Sequence, residues 1–163
     1  MKPAIAVLAV LCCAFAQPLA AQEAHVTHAA GAQFVAFPNL PDCMKGAVLR
    51  GDPATGPSII LSRGTAGCRI PHHWHTPNET LLFVSGNAGL AMKGQPPETL
   101  RAGDYVQVPA KHQHEFACTT ACSFFVNADG PFDIHYVDDA GNEIPAEKVL
   151  PRPKAAPAGT EKK

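Results

Sequence analysis

Short runs of apolar and β-branched residues recur through the middle of the chain, and glycine, proline, asparagine or aspartate separates them. Runs of about four to eight residues between such turn signals predict β-strands, because a helix needs a longer apolar period. We expect strands at residues 58–63, 80–85, 105–108, 123–126 and 132–137. Many short, closely spaced strands predict an all-β domain of the sandwich or barrel type.

The first 21 residues have a different pattern. Lys2 precedes an uninterrupted apolar run at residues 4–15, and the small residues Ala20 and Ala21 follow. This is the layout of a secretory signal peptide. The run of 12 residues is too short to span a bilayer, which needs about 20. We therefore expect residues 1–21 to be removed on export. The mature protein would be periplasmic or secreted, with no membrane attachment after cleavage.

The rest of the chain divides by composition into three parts. Residues 22–32 lack an apolar period and predict a flexible N-terminal arm, whereas residues 151–163 are rich in Pro, Ala and Lys and predict a disordered tail. Residues 33–150 remain as one domain. The formal net charge is −1, and Lys and Arg are scattered. A nucleic-acid partner is therefore not expected.

Four cysteines remain after the predicted cleavage, and an even number in an oxidising compartment favours disulfides. Cys118 and Cys122 lie between two predicted strands, where a short turn brings their sulfurs together. Cys43 would then pair with Cys68. Four cysteines allow three pairings, so the sequence alone does not fix the connectivity.

Two groups of histidines carry the candidate chemistry. His73 and His75 flank Trp74, and residues two apart on a strand project from the same face. Glu79 follows shortly afterwards, and His114 belongs to a second group about 40 residues later. Imidazoles and a carboxylate are ligands that a first-row transition metal takes in proteins. The pattern therefore predicts one metal site.

These residues resemble the two motifs of the cupin superfamily. The first motif is Gly67-x5-His73-x-His75-x3-Glu79-x6-Gly86, and the second opens with Gly103-x5-Pro109 and reaches its last ligand at His114. Lys111 stands where the second motif usually has glycine, and Cys118 where it often has asparagine. The closing segment 130–137 is similar to small bacterial cupins of the ChrR-like type.

The resemblance implies a single jelly-roll-like β-barrel that holds one metal ion with His73, His75 and His114. Glu79 would be the fourth ligand or a catalytic carboxylate beside the metal. Copper is favoured because affinity rises towards it, followed by manganese, iron or zinc. Few other catalytic groups accompany the site, which favours an oxidoreductase acting on a small molecule or a carbohydrate. Two alternatives stay open: a non-catalytic metal- or ligand-binding cupin, and an isomerase or lyase that uses the metal as a Lewis acid.

The neighbours of the histidines suggest two further roles. If His73 and His75 face inwards, Trp74 faces outwards, where it would bury itself in a homodimer or stack on a sugar. His112, in the turn before His114, is a candidate for contact with substrate or metal. The remaining aromatic residues Phe83, Phe116, Phe124 and Phe125 are expected to pack the core and the sheets.

Overall fold

The computed structural model describes residues 23–150, and the regular secondary structure within that range is almost entirely β-strand. Two short 3₁₀ turns, Ala29–Gly31 and Ala146–Lys148, lie near the two ends. The strands are β1 Met44–Gly51, β2 Ser58–Gly64, β3 Arg69–Trp74, β4 Glu79–Ser85, β5 Asn87–Met92, β6 Glu98–Arg101, β7 Tyr105–Val108, β8 His114–Cys118, β9 Cys122–Ala128, β10 His135–Val137 and β11 Glu143–Ile144. The predicted all-β fold is confirmed.

The strands form two antiparallel sheets. The first has the order β1-β2-β9-β4-β7 and the second the order β11-β10-β3-β8-β5-β6. Strand β4 shows how each sheet builds the core, because Leu81 and Phe83 are buried while Leu82 and Val84 between and after them are exposed. This period of two is what a sheet with one buried face requires. The apolar faces of both sheets enclose the interior of a barrel.

One predicted strand was too long. Residues 132–134 do not belong to a ladder, and β10 begins at His135. The physical reason is that the N–H of Phe132 donates to the carbonyl of Pro53, in a distant loop, at 2.8 Å. Phe132 therefore joins the loops at one end of the barrel, and this position matters for the site described below.

Aromatic packing fills the closed part of the interior. The ring of Phe124 lies 5.2 Å from that of Phe83 and 4.9 Å from that of Phe116, measured between centroids. These separations are in the range at which aromatic pairs attract. The core role predicted for these three residues is confirmed. Phe125 is half-buried and pairs with Leu82 on the other face of the first sheet.

Both predicted disulfides are present. Cys43 is bonded to Cys68 and Cys118 to Cys122, with Cα–Cα distances of 5.5 Å and 5.8 Å. The two bridges meet at Gly64, where an added Cβ would lie 2.5 Å from the sulfur of Cys118 and 3.6 Å from the Cβ of Cys68. Disulfides of this kind persist in oxidising surroundings. Within residues 23–150 there is no helix that has the length and apolar character to cross a bilayer.

Several predictions fall at the ends of the chain. The signal peptide at residues 1–21 and the tail at residues 151–163 lie outside the described residues, and both stay predictions. Residues 23–31 of the predicted arm are exposed, and the last three of them form a single 3₁₀ turn, Ala29–Gly31. Trp74 is half-buried, with its indole stacked on the ring of His135 at 3.9 Å and 3°. The homodimer stays a prediction.

Candidate metal centre

The two sheets bring four buried polar side chains to the same end of the barrel. His73 is the second-last residue of β3 and pairs with His114, the first residue of β8. His75 follows β3 directly and is turned inwards like His73. Glu79 begins β4 in the opposite sheet, where it pairs with Ala128 and Val108. All four residues are at least 95% buried, which is exceptional for such polar groups unless they have partners.

The four side chains converge on one point. One ring nitrogen from each of the three histidines lies within 4.8 Å of the others. Glu79 Oε2 lies 3.8 Å from His75 Nε2 and 3.8 Å from His114 Nε2. Donor atoms about 2.1 Å from one metal ion lie about 3.0–3.4 Å apart. The side chains therefore fit a mononuclear site after a small contraction.

The backbone fixes which nitrogen of each histidine faces the centre. The Nδ1 atoms of His73 and His114 lie 2.6 Å from the carbonyl of Pro71 and 3.0 Å from that of His112. His75 Nδ1 makes the same contact with the carbonyl of Asp133. A carbonyl can only accept, so each Nδ1 carries the proton and each Nε2 is left with a lone pair. Metal-binding histidines are oriented by partners of this kind.

Burial sets the charge of the site. The pKa of His73 lies well below its usual value because burial penalises the imidazolium, and His114 and His75 repel it further. Burial likewise lowers the pKa of His75 and of His114. Burial raises the pKa of Glu79, with partial opposition from His114. Neutral imidazoles are the form that binds a metal, and a bound cation would favour the ionised carboxylate.

Two aspartates hold the loop that carries His75 towards Glu79. Asp133 Oδ1 accepts from the N–H of Thr76 at 2.7 Å. Asp129 accepts from the N–H and the side-chain amide of Asn78 at 2.9 Å and 2.6 Å. Neither aspartate was predicted from the sequence. Their partners are about 50 positions away, and an aspartate in a turn gives no sign of such a contact.

Comparison with known proteins agrees with this geometry. The model of the Cupin domain family matches residues 63–128, which contain all four residues of the centre. This match identifies residues 63–128 as a cupin domain. The ChrR-like subtype stays a prediction.

Solved cupin-like structures share the fold of this cupin at low identity. The polyketide cyclase RemF from Streptomyces resistomycificus is 18% identical with a TM-score of 0.61, over 71% of this chain and 87% of that chain. An acetylacetone dioxygenase from Acinetobacter johnsonii is 19% identical with a TM-score of 0.59, over 79% and 87%. An RmlC-like cupin from Shewanella frigidimarina is 18% identical with a TM-score of 0.55, over 68% and 93%. A search of curated proteins gives no significant match. At these identities the likeness establishes the fold alone.

The centre of this cupin opens into a small cavity of about 40 Å³. Most of its walls are apolar, from both sheets and from the loop residue Phe132. Apart from the four residues of the centre, Ser62 is the only polar residue among the described ones that line it. The lining residues are Leu40, Met44, Ser62, Ile70, His73, His75, Glu79, Leu81, His114, Phe116, Phe124, Val126 and Phe132.

The backbone at Lys111 shows why the cupin motif usually has glycine at this position. Lys111 has φ 61, in the left-handed region that glycine occupies most easily. The turn is therefore formed with lysine in the glycine position. The N–H of Lys111 donates to the carbonyl of His75 at 2.8 Å. His112 contributes its carbonyl to His114, and its ring is not among the residues that line the cavity.

Proposed function

We propose that this cupin is a mononuclear metal-dependent oxidoreductase that acts on a small molecule or on an accessible carbohydrate end. The observation that carries the proposal is the convergence of three imidazole nitrogens and the Glu79 carboxylate on one buried cavity. A first-row transition metal is the ligand for which this donor set is suited. Histidines placed only for packing would not need three separate carbonyl partners that turn every Nε2 towards the same point.

Each residue has a defined task in this proposal. His73, His75 and His114 would hold the ion as neutral ligands, which burial favours. Glu79 would either complete the ligand set or accept a proton from a substrate hydroxyl. Copper is the first candidate because affinity rises towards it, and manganese, iron and zinc follow. A redox-active ion would supply electron transfer to oxygen or peroxide.

The walls of the cavity favour oxidation over multi-step acid–base chemistry. Beyond the centre itself, the described lining offers only the hydroxyl of Ser62, and the other lining side chains are apolar. A volume of about 40 Å³ admits only a few atoms, since one water needs about 10–15 Å³. The substrate is therefore a small molecule, or a larger one that inserts only its end.

The cysteines and the N-terminal segment support a location outside the cytoplasm. Two disulfides suit an oxidising environment, and the predicted signal peptide would deliver the chain there. We propose that the mature protein is periplasmic or secreted and acquires its metal after export. A homodimer is part of the same proposal.

The test is metal analysis of protein purified from the periplasm, followed by oxygen and peroxide consumption with the copper, manganese and iron forms. The substrate panel contains sugars, phenols and small acids. Oxygen or peroxide use by one of these forms supports the proposal. Turnover by the zinc form alone identifies a lyase or isomerase, and no turnover with any metal leaves a binding protein; either result overturns the oxidoreductase.

Glu79→Gln separates the two tasks of the carboxylate. If Glu79 is a ligand, the variant should retain less metal after dialysis than the wild type. If it is a base, the variant should keep its metal and lose turnover. Glu115→Gln is the matched control, because Glu115 is a glutamate on β8 that pairs with exposed Arg69 and does not line the cavity.

A further inference from the structure

The cavity at the metal centre is too small to enclose a molecule of metabolite size, so the body of any such substrate must lie elsewhere. A groove of about 480 Å³ adjoins it, which is within the range of about 300–1,000 Å³ typical of ligand sites. Phe132 lines both spaces. Its ring centroid is 4.8 Å from that of His75. The groove and the metal centre are therefore separated by one side chain.

Two hydrogen bonds fix the positions of residues in the walls of the groove. Asn39 is held with φ 59, and its carbonyl accepts the hydroxyl of Tyr136 at 2.8 Å. The opposite wall is tied by the bond from the Phe132 N–H to the Pro53 carbonyl. Its floor and sides are formed by Phe37, Pro38, Asn39, Pro53, Ala54, Phe132, Asp133, Ile134 and His135. Apolar walls with a few convergent polar groups are what a preformed ligand site presents.

The charge of the groove selects among ligands. Asp133 lies in its wall with Oδ2 3.2 Å from the Nε2 of His135, and no lysine or arginine is among the described residues that line it. The adjoining depression, which shares Asn39, Ile134 and His135 with the groove, adds Glu147 and Glu143. Glu143 lies 3.2 Å from the Nδ1 of His135, so one imidazole is shared by two carboxylates and the balance of charge stays negative. A carboxylate or phosphate on the ligand would meet these carboxylates at short range, whereas an ammonium group or a hydroxyl donor would be attracted.

We propose that this groove is a binding subsite for the body of the substrate, and that the substrate is a neutral or cationic molecule with a flat apolar part, such as a phenolic amine. A terminal group as small as a hydroxyl would then reach past Phe132 to the metal centre. This inference rests on the proposed function, because it names the class of substrate on which the proposed enzyme would act. The binding itself can be measured without metal.

The probes are tyramine and 3-(4-hydroxyphenyl)propionate, which share a phenol and differ in the sign of the terminal charge. Each is titrated into the full metal-free chain and into the zinc-loaded chain by calorimetry. Tyramine should bind at least tenfold more tightly than the propionate in both forms. Equal affinities, or preference for the propionate, would overturn the proposal.

Substitutions then locate the site. Ala54 is exposed in the groove wall, and Ala54→Trp should fill the groove and weaken tyramine binding at least tenfold. Ala121→Trp is the matched control, because Ala121 is exposed in the turn between Cys118 and Cys122 and should leave affinity unchanged. Asp133→Asn should reduce the preference for tyramine over the propionate without filling the groove.

The outcomes separate this inference from the proposed function. Unchanged tyramine affinity in Ala54→Trp, or an equal loss in Ala121→Trp, places the binding elsewhere and sinks the inference. A chain that binds tyramine in the groove but takes up no metal supports the inference and contradicts the proposed function. A chain that consumes oxygen or peroxide with its metal but fails the tyramine tests supports the proposed function and contradicts the inference.

Discussion

His75 donates its Nδ1 proton to the backbone carbonyl of Asp133, 58 positions later in the chain. The carboxylate of the same aspartate accepts from the N–H of Thr76, the residue after His75. Asp133 therefore fixes both the ring of His75 and the backbone that follows it. This residue lies beyond the part of the chain that the family model matches.

Asp133→Ala should weaken metal binding by about 10–100-fold, the usual effect of losing a partner that orients a ligand. The loop after His75 would lose its anchor, although the carbonyl remains. Competition with a chromophoric chelator measures the change. Asp139→Ala, at an exposed aspartate in the next turn, should bind metal like the wild type. Equal affinities for the two variants would contradict the role given to Asp133.

His75→Ala should abolish stoichiometric metal binding while the β-sheet content stays unchanged, because one of the converging nitrogens is removed. Its control is His72→Ala, since His72 is an exposed histidine on β3, just before His75, and pairs with Glu115 at 3.6 Å. Plasma emission analysis of dialysed protein gives the metal content, and circular dichroism gives the fold. Full metal retention by His75→Ala would remove His75 from the proposed ligand set.

The metal-free protein should lose stability as pH falls below about 6.5, the unperturbed histidine value. The pKa of each of the three histidines is lowered by burial in the fold, so the unfolded chain takes up protons first. Glu79 acts in the opposite direction because its pKa is raised, and its ionised form costs stability at higher pH. The three histidines together should outweigh Glu79, so the net stability should fall as the pH falls.

Urea unfolding of the metal-free chain between pH 7.5 and about 5 tests this balance. The midpoint should fall with pH in the wild type and fall less in His114→Gln, which lacks one of the buried imidazoles. A midpoint that rises or stays level over this range in the wild type would be inconsistent with neutral, buried histidines.

Lys111→Gly should unfold at higher denaturant than Lys111→Ala, by about 1 kcal/mol in the free energy of unfolding. Both variants remove the lysine side chain, whose Nζ lies 5.8 Å from the ring of Trp74. Only glycine also relieves the left-handed backbone at φ 61. If alanine proves as stable as glycine at this position, the backbone there is not strained.

The two disulfides should differ in their effect on stability. The Cys43–Cys68 bridge closes a separation of 25 residues and the Cys118–Cys122 bridge one of 4. In the chain-entropy account these correspond to about 3.5 and about 2 kcal/mol. Paired Cys→Ser variants, compared by urea unfolding, should show the larger loss for Cys43 and Cys68. Thiol titration of the denatured mature chain should find no free cysteine.

The candidate metal centre could be predicted from the sequence because its residues follow a short, local spacing pattern. His73 and His75 are two apart on a strand, and that spacing alone places both side chains on one face. Glu79 and His114 occupy motif positions at strand starts. The structure brings all four together, as the resemblance implied. What the spacing could not supply was Asp133, because hydrogen bonds across loops leave no periodic signal.

Two of the strands that were not predicted have a weak intrinsic preference for β-structure. Residues 87–92, where no strand was predicted, form β5, which contains two alanines and a glycine. This strand is held by pairing with β6 and β8 rather than by its own propensity. β1 carries two glycines and is likewise fixed by its long pairing with β2. The opposite error occurred at residues 132–134, which were predicted as strand but belong to a loop.

The position of Gly64 relative to Ser58 has a consequence for how the molecule matures. Ser58 pairs with Ala128, the partner of Glu79, whereas Gly64 pairs with Cys122 beside both bridges. Six residues of one strand separate the two levels, about 20 Å at the rise of an extended chain. A thiol reductant would therefore act on the disulfides at one end of the barrel, and a chelator on the candidate metal site at the other end. We expect oxidative closure and metal insertion to be independent steps, because their sites lie at opposite ends of one strand.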